Sequence, residues 1–296
     1  MNTRLKYRLV RFISPRRNYP LSNEVGICTV LCHQDVAKFF YCISSFFYQT
    51  KHAYPAYIID DGTLSKADYR IINQLLPHVT IEAIQSVIQK SKRLYRTFPS
   101  LMKYHQSEHT PVYKLKLDAL LLCPFQKFIF LDADIIFFQE PKEIITWAKS
   151  STDSILYCTF SEKYKKRILK SDYLSTMYAL RQMVFTLLKT KSDPFISAHL
   201  LCLAHNKFMK LHQINKTLQF LDSIGYLHNP HVDEIVLAIA IAQYNTSTLD
   251  PEKYCSLVLL SHQDRLAIPA NPIALHFPGE SKKEFWKFAL AKKLRD

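Results

Sequence analysis

A chain of 296 residues that is 48% hydrophobic and 22% charged has the composition of a globular protein with a sizeable core, which excludes intrinsic disorder. Its 39 Lys and Arg against 25 Asp and Glu give a formal charge of +14, favouring anionic partners (nucleotide phosphates, acidic lipid surfaces or nucleic acid) without choosing among them. No window approaches the roughly 20 uninterrupted apolar residues of a membrane span, so any membrane contact is expected at the surface.

Residues 1–23 carry Arg4, Lys6, Arg8, Arg11, Arg16 and Arg17 with no apolar stretch like a signal peptide, and read as a basic, loosely ordered arm. Residues 24–296 read as a single domain. The apolar run 25–32 has the character of a buried strand, and 35–50 shows helical spacing of Val36, Phe39, Phe40, Ile43 and Phe47. A second strand over 56–59 is closed by Asp60-Asp61-Gly62-Thr63, and Ser65 can cap a helix through Tyr69 to Leu76. Residues 80–84 read as a third strand, 112–123 as a helix, and 127–131 as the clearest buried strand, ended abruptly by Asp132-Ala133-Asp134. A strand over 154–160 precedes a helical or mixed insert over 164–190. Residues 195–204 are strand-like, 207–224 and 232–243 helical, and the tail from Asn271 holds one short apolar run ending at His276.

Alternating strands and helices predict an α/β fold with a mostly parallel central sheet and helices on both faces. Seven cysteines, an odd number with Cys123 and Cys202 inside apolar runs, read as reduced, mostly buried thiols of a cytoplasmic protein. Cys28 and Cys32 have no second Cys/His pair at zinc spacing near them.

Ligands of such sheets sit outside the carboxyl ends of the strands, where two ends stand out: Asp60-Asp61-Gly62 and Asp132-Ala133-Asp134. Two carboxylates separated by one small residue point the same way from an extended strand end. With Phe130-Leu131 before and Ile135-Ile136-Phe137-Phe138 after, their repulsion is poorly relieved by water, and a hard divalent cation, Mn²⁺ or Mg²⁺, removes the conflict. The plain alternative is a pair of surface turn aspartates.

These stretches resemble the GT-A glycosyltransferases, most closely the glycosyltransferase family 8 type. The resemblance rests on the run from Tyr113 to Leu120 followed by Phe128 to Asp134, and on the tail from His276 to Lys282, similar to a His-aromatic-x-Gly-x-x-Lys pattern. It covers residues 25–85 and 112–282 in patches. It implies that Asp132, Asp134 and His276 hold the metal. It further implies that Asp132, with Ala133 beside it, touches the donor and that Lys282 meets the diphosphate. Gly279 would then admit the phosphates, and Lys114 stand where the family often has Arg. Asp60 and Asp61 would border the base or ribose, with Thr29 and His33 lining the same pocket. Residues 195–200 resemble the strand beside the donor sugar, although Ser197-Ala198-His199 departs from its Asn-x-Gly, and Asp233-Glu234 resembles the acidic pair that begins a helix by the acceptor, where one acid would be the base of an inverting reaction.

The function these readings imply is transfer of a sugar from a nucleoside diphosphate-sugar, UDP by resemblance, to a hydroxyl of a glycan, lipid or protein. No nucleic-acid motif is visible. Two other classes share the features: a metal-dependent phosphohydrolase or nuclease built on the Asp pair, and a non-catalytic binder of anionic surfaces built on the basic runs 162–170 and 282–294.

Overall fold

The computed structural model describes residues 8, 11, 19–76, 78–106, 111–152, 154–162, 165–166, 178–180, 182–183, 186, 196–204, 211–227, 232–241, 244–257 and 268–293, excepting the side chains of 111–113, 233, 234, 292 and 293. Most of the arm and of the 164–190 insert therefore lies outside the described residues. The end of the arm is tied down: Leu21 bridges to Ala53, and the Ser22 amide donates to the Ala53 carbonyl at 2.8 Å.

A seven-stranded sheet forms the centre. Its strands are β1 (Val25–Leu31), β2 (Ala56–Asp60), β3 (Val79–Glu82), β4 (Lys127–Leu131), β6 (Ile155–Thr159), β7 (Ile196–Ala204) and β8 (Thr246–Thr248), in the order β3-β2-β1-β4-β7-β6-β8. All are parallel except β7, which runs antiparallel to both neighbours. The core strands read as unbroken apolar runs because both faces are covered. Ile27, Ile129 and Leu131 pack into one buried layer with α1 (Val36–Thr50) and α6 (Lys142–Lys149). Cys28, Phe128 and Phe130 pack into the opposite layer with α3 (Ile84–Tyr95), α4 (Pro99–Gln106), α5 (Pro111–Leu122), α7 (Leu211–Ser223) and α8 (Val232–Ile241).

Gly26 faces Phe125, just after α5, where the chain has no room. A Cβ there would lie 2.1 Å from the Phe125 ring. Ser65 caps α2 (Lys66–Leu75) in a reciprocal box: its hydroxyl accepts from the Asp68 amide, and the Asp68 carboxylate accepts from the Ser65 amide at 2.8 Å. All seven cysteines are free, and five are buried.

A second sheet, absent from the sequence expectation, joins β5 (Ile135–Phe137), β10 (Ala274–His276) and β9 (Tyr254–Ser256) in the order β5-β10-β9. The chain closes with a 3₁₀ turn, Gly279–Lys283, and α9 (Phe285–Lys293), which packs on α1 through Tyr41, whose ring meets Phe285 and Trp286 edge-on.

Candidate active site

The Asp-Ala-Asp segment is the crossing between the two sheets. β4 ends at Leu131 in the large sheet and β5 begins at Ile135 in the small one, so both carboxylates emerge where the sheets diverge. The Asp132 amide still follows the large sheet, donating to the His199 carbonyl of β7 at 2.9 Å. The Asp134 carbonyl already belongs to the small one and accepts from the Phe277 amide at 3.0 Å. In that small sheet His276 lies opposite Ile135, which sets its ring beside Asp134 although 142 positions separate them in the chain.

Ligand atoms of Asp132, Asp134 and His276 all lie within 4.8 Å of one another, the arrangement a single cation needs. His276 Nε2 is 3.2 Å from Asp134 Oδ1 and 3.6 Å from Asp132 Oδ2. Its other nitrogen, Nδ1, lies 2.9 Å from the Ser256 hydroxyl on β9, which holds the ring with Nε2 turned toward the carboxylates, where it would meet a bound cation.

Three lysines surround the acids. Lys282 Nζ lies 3.2 Å from Asp134 Oδ2 and donates to Asp35 Oδ2 at 2.8 Å. Lys38 donates to the other Asp35 oxygen at 2.5 Å, and Lys116 donates to Asp132 Oδ2 at 2.8 Å. Asp134 is 4% exposed. That burial would raise its pKa, but His276 and Lys282 outweigh it and hold the carboxyl well below the usual range. Burial likewise works against the Lys282 ammonium, and Asp134 and Asp35 reverse it, so the lysine stays charged. His199 lies buried under the site; burial first, then His276 and Lys116, push it well below the ordinary histidine range, so it is neutral.

The other residues expected at the site divide into groups. Ala133 is buried between the two acids, and Gly279 opens the turn that carries Lys282, in the left-handed region at φ +53. Asp60 Oδ1 accepts from the Gly62 and Leu64 amides and Oδ2 from the Tyr69 hydroxyl, so both oxygens shape the turn after β2. Asp61 accepts from the Thr63 amide and hydroxyl. His33 Nδ1 pairs with the buried Asp68 at 2.5 Å, and its amide donates to the Thr63 hydroxyl. This second cluster meets the metal-ligand group through the His33–Asp35 turn, whose last residue holds Lys282. Thr29 is fully buried inside β1. Lys114 is buried against the Tyr104 ring, 5.8 Å from its centroid, and burial lowers its pKa. The side chains of Asp233 and Glu234 lie outside the described residues; their backbone opens α8.

Sequence reasoning passed over Asp35, Lys116, His199 and Ser256. Lys116 stands two residues beyond Lys114, and the helical period turns one toward Asp132 and the other toward Tyr104. Asp35 follows β1 just as the paired acids follow β4, a signal available in the sequence.

The family model described as "Mannosyltransferase putative" matches residues 26–191. The chain belongs to this family. This glycosyltransferase has a GT-A fold, shared with the apo crystal structure of mouse xyloside xylosyltransferase 1, to which it is 12% identical over 89% of this chain and 98% of that one with a TM-score of 0.54. The apo structure of the bifunctional glycosyltransferase WbbM is also 12% identical, with a TM-score of 0.55, over 96% of this chain and 53% of that one, so the transferase spans about half of WbbM's length. No curated protein matches the sequence. The family match includes β1, α5 and the Asp-Ala-Asp crossing and stops short of His276 and Lys282, so these two enter the site on geometry.

Proposed function

We propose that the chain transfers a mannosyl group from a nucleoside diphosphate-mannose to a hydroxyl group of a glycan, lipid or protein, assisted by Mn²⁺ or Mg²⁺ held by Asp132, Asp134 and His276. The observation that carries the reading is the convergence of those three side chains, beside Lys282 and Lys116, in a member of a mannosyltransferase family. Two carboxylates and an imidazole are a hard, anionic donor set that suits either cation.

A bound cation would neutralise charge growing on the departing diphosphate. Lys282 and Lys116 supply the remaining positive charge. Each ammonium rests on a carboxylate of the proposed metal site, where it would meet the diphosphate of a donor held through the cation. Asp35 orients Lys282 and keeps it protonated, so the lysine meets the phosphates as a fixed charge. Asp233 and Glu234, opening α8, are the candidates for the acceptor side, one of them as general base if the reaction inverts the anomeric centre.

A two-metal phosphohydrolase would need a second set of converging ligands; among the described residues Asp132, Asp134 and His276 form the one such group. No helix among the described residues is long and apolar enough to cross a membrane. Peripheral contact with an anionic membrane belongs to the proposal, through the surface of the last turn and α9 where Lys283, Lys287 and Leu290 are exposed.

The test is donor hydrolysis and transfer, with UDP- and GDP-linked mannose, glucose and galactose assayed with Mn²⁺ and with a chelator. Metal-dependent release of the nucleoside diphosphate from a mannose donor is the expected result. Undiminished release under chelation, or release of nucleoside monophosphate, would overturn the reading.

A further inference from the structure

His276 is the least obvious member of the metal-ligand group, because it comes from a different sheet strand and a distant part of the chain. Its position is fixed from several directions. The backbone is held between β5 and β9, and Nδ1 meets the Ser256 hydroxyl at 2.9 Å. One constraint is of another kind. The ring lies on the ring of His199, centroids 4.3 Å apart and planes 11° from parallel.

His199 contributes no ligand atom to the cluster of three. It sits on β7 at 3% exposure, and its own Nδ1 lies 2.8 Å from the Ser197 hydroxyl, two residues earlier on the same strand face. The imidazole is therefore pinned at one edge and offers a flat face upward. Its backbone carbonyl accepts the Asp132 amide at 2.9 Å. One residue thus touches two of the three metal-binding residues: Asp132 through the main chain and His276 through the side chain. It joins the large sheet, which supplies Asp132, to the small sheet, which supplies His276.

We infer that His199 is a positioning residue, a flat platform that holds the His276 ring in the plane where Nε2 faces Asp132 and Asp134. The inference rests on the metal-site reading above and assigns the His199 ring no proton transfer. The energetic argument is one of rotation. A buried ring with one face stacked and one nitrogen bonded can turn about its Cβ–Cγ bond only by losing both contacts, whereas Ser256 alone leaves the ring free to tilt. Partners outside the ligand set that orient a metal-bound histidine are typically worth about ten- to a hundredfold in metal affinity. Because the Asp132 amide bond uses the His199 main chain, substituting the side chain leaves that contact in place and isolates the stack.

The experiment titrates the 296-residue chain with Mn²⁺ alone, following free Mn²⁺ by electron paramagnetic resonance, for wild type, His199→Phe, His199→Leu and Asp134→Asn. Melting curves establish that each is folded. The expected result is that His199→Leu, which fills the space without a flat ring, raises the Mn²⁺ dissociation constant about tenfold. His199→Phe, which keeps the ring and discards both nitrogens, is expected to stay within about threefold of wild type, on the same argument that stacking is what matters. In turnover assays the Leu variant should need more metal but recover a kcat near wild type once saturated, a separation that general destabilisation does not produce. Equal Mn²⁺ affinity in the Leu variant and wild type would overturn the inference, as would a Phe variant as weak as the Leu one. If wild type itself holds no Mn²⁺, or Asp134→Asn holds it equally well, the metal reading has failed, a different outcome from failure of the platform.

Discussion

Replacing Lys116 by methionine separates two roles that a lysine beside a metal-binding carboxylate can play. Lys116 donates to Asp132 Oδ2 at 2.8 Å, and the two side chains are 16% and 19% exposed, so the contact is largely shielded from water. A hydrogen bond to a charged group contributes about 1.5–3 kcal/mol, and the residual exposure argues for the lower half of that range. If Lys116 passes its charge to the diphosphate, losing about 1.5–2 kcal/mol of transition-state stabilisation lowers kcat/KM for the donor about ten- to thirtyfold. Asp132, relieved of a competing cation, should bind metal at least as well as before. The assay is donor kcat/KM at saturating Mn²⁺, together with the Mn²⁺ concentration giving half-maximal rate. The predicted pattern is a lower kcat/KM with a half-saturating metal concentration that is unchanged or reduced, and partial recovery in Lys116→Arg, which retains the charge in another geometry. A higher metal requirement in Lys116→Met would refute the reasoning, because it would make the lysine a support for the ligand set. So would a kcat/KM within threefold of wild type.

Gly279→Ala puts a side chain at φ +53 with nothing within 4 Å of its Cβ, so its cost is backbone strain alone, about 1–2 kcal/mol. The melting temperature should fall by about 2–4 °C, with a rise in donor KM because the same turn carries Lys282. Gly26→Ala instead drives a Cβ into the Phe125 ring; overpacking of about 1–3 kcal/mol predicts a fall of about 2–6 °C with metal binding intact, measured by calorimetry. Ser65→Ala removes the capping box of α2 and should lower the melting temperature by about 2 °C, for a loss of about 1 kcal/mol. Burial works to raise the Glu82 pKa, but Lys90 and Ser86 outweigh it, so its folded-state pKa lies below the usual carboxylate value. The stability it contributes is complete above the unfolded pKa of about 4.3 and is lost as pH falls through the folded one, so denaturant midpoints of Glu82→Gln and wild type should converge below that region.

The parts of this fold legible in the sequence are those where local chemistry and tertiary placement agree. Residues 127–131 read as a buried strand because both faces of β4 are covered and every position but Lys127 is buried. Asp132 and Asp134 stood out because so much apolar sequence flanks them. The small sheet was not legible. β5, β9 and β10 are three residues each, too short to show a period, and the pairing of β5 with β10 joins chain segments more than a hundred residues apart. The helices α3 and α4 were hidden for a similar reason: α3 buries only Val87, Ser91 and Tyr95, and one of these is polar. The site shows the same division. His276 and Lys282 were reachable through their resemblance to a motif, and Asp35 through its place after the first strand, whereas Lys116 and His199 take their places only when helical phase and sheet register set them around the Asp pair. Lys114, favoured by the motif, lies against Tyr104 because a helix turns two residues apart onto different sides.

The most direct test of the account is calorimetric titration of the protein with UDP and with GDP, in Mn²⁺ and in chelator, for wild type and Asp134→Asn. One nucleotide should bind in Mn²⁺, lose at least tenfold in affinity under chelation, and lose it equally in the variant. Binding that ignores both the metal and the Asp134 charge would mean that Asp132, Asp134 and His276 do not hold a cation for a diphosphate.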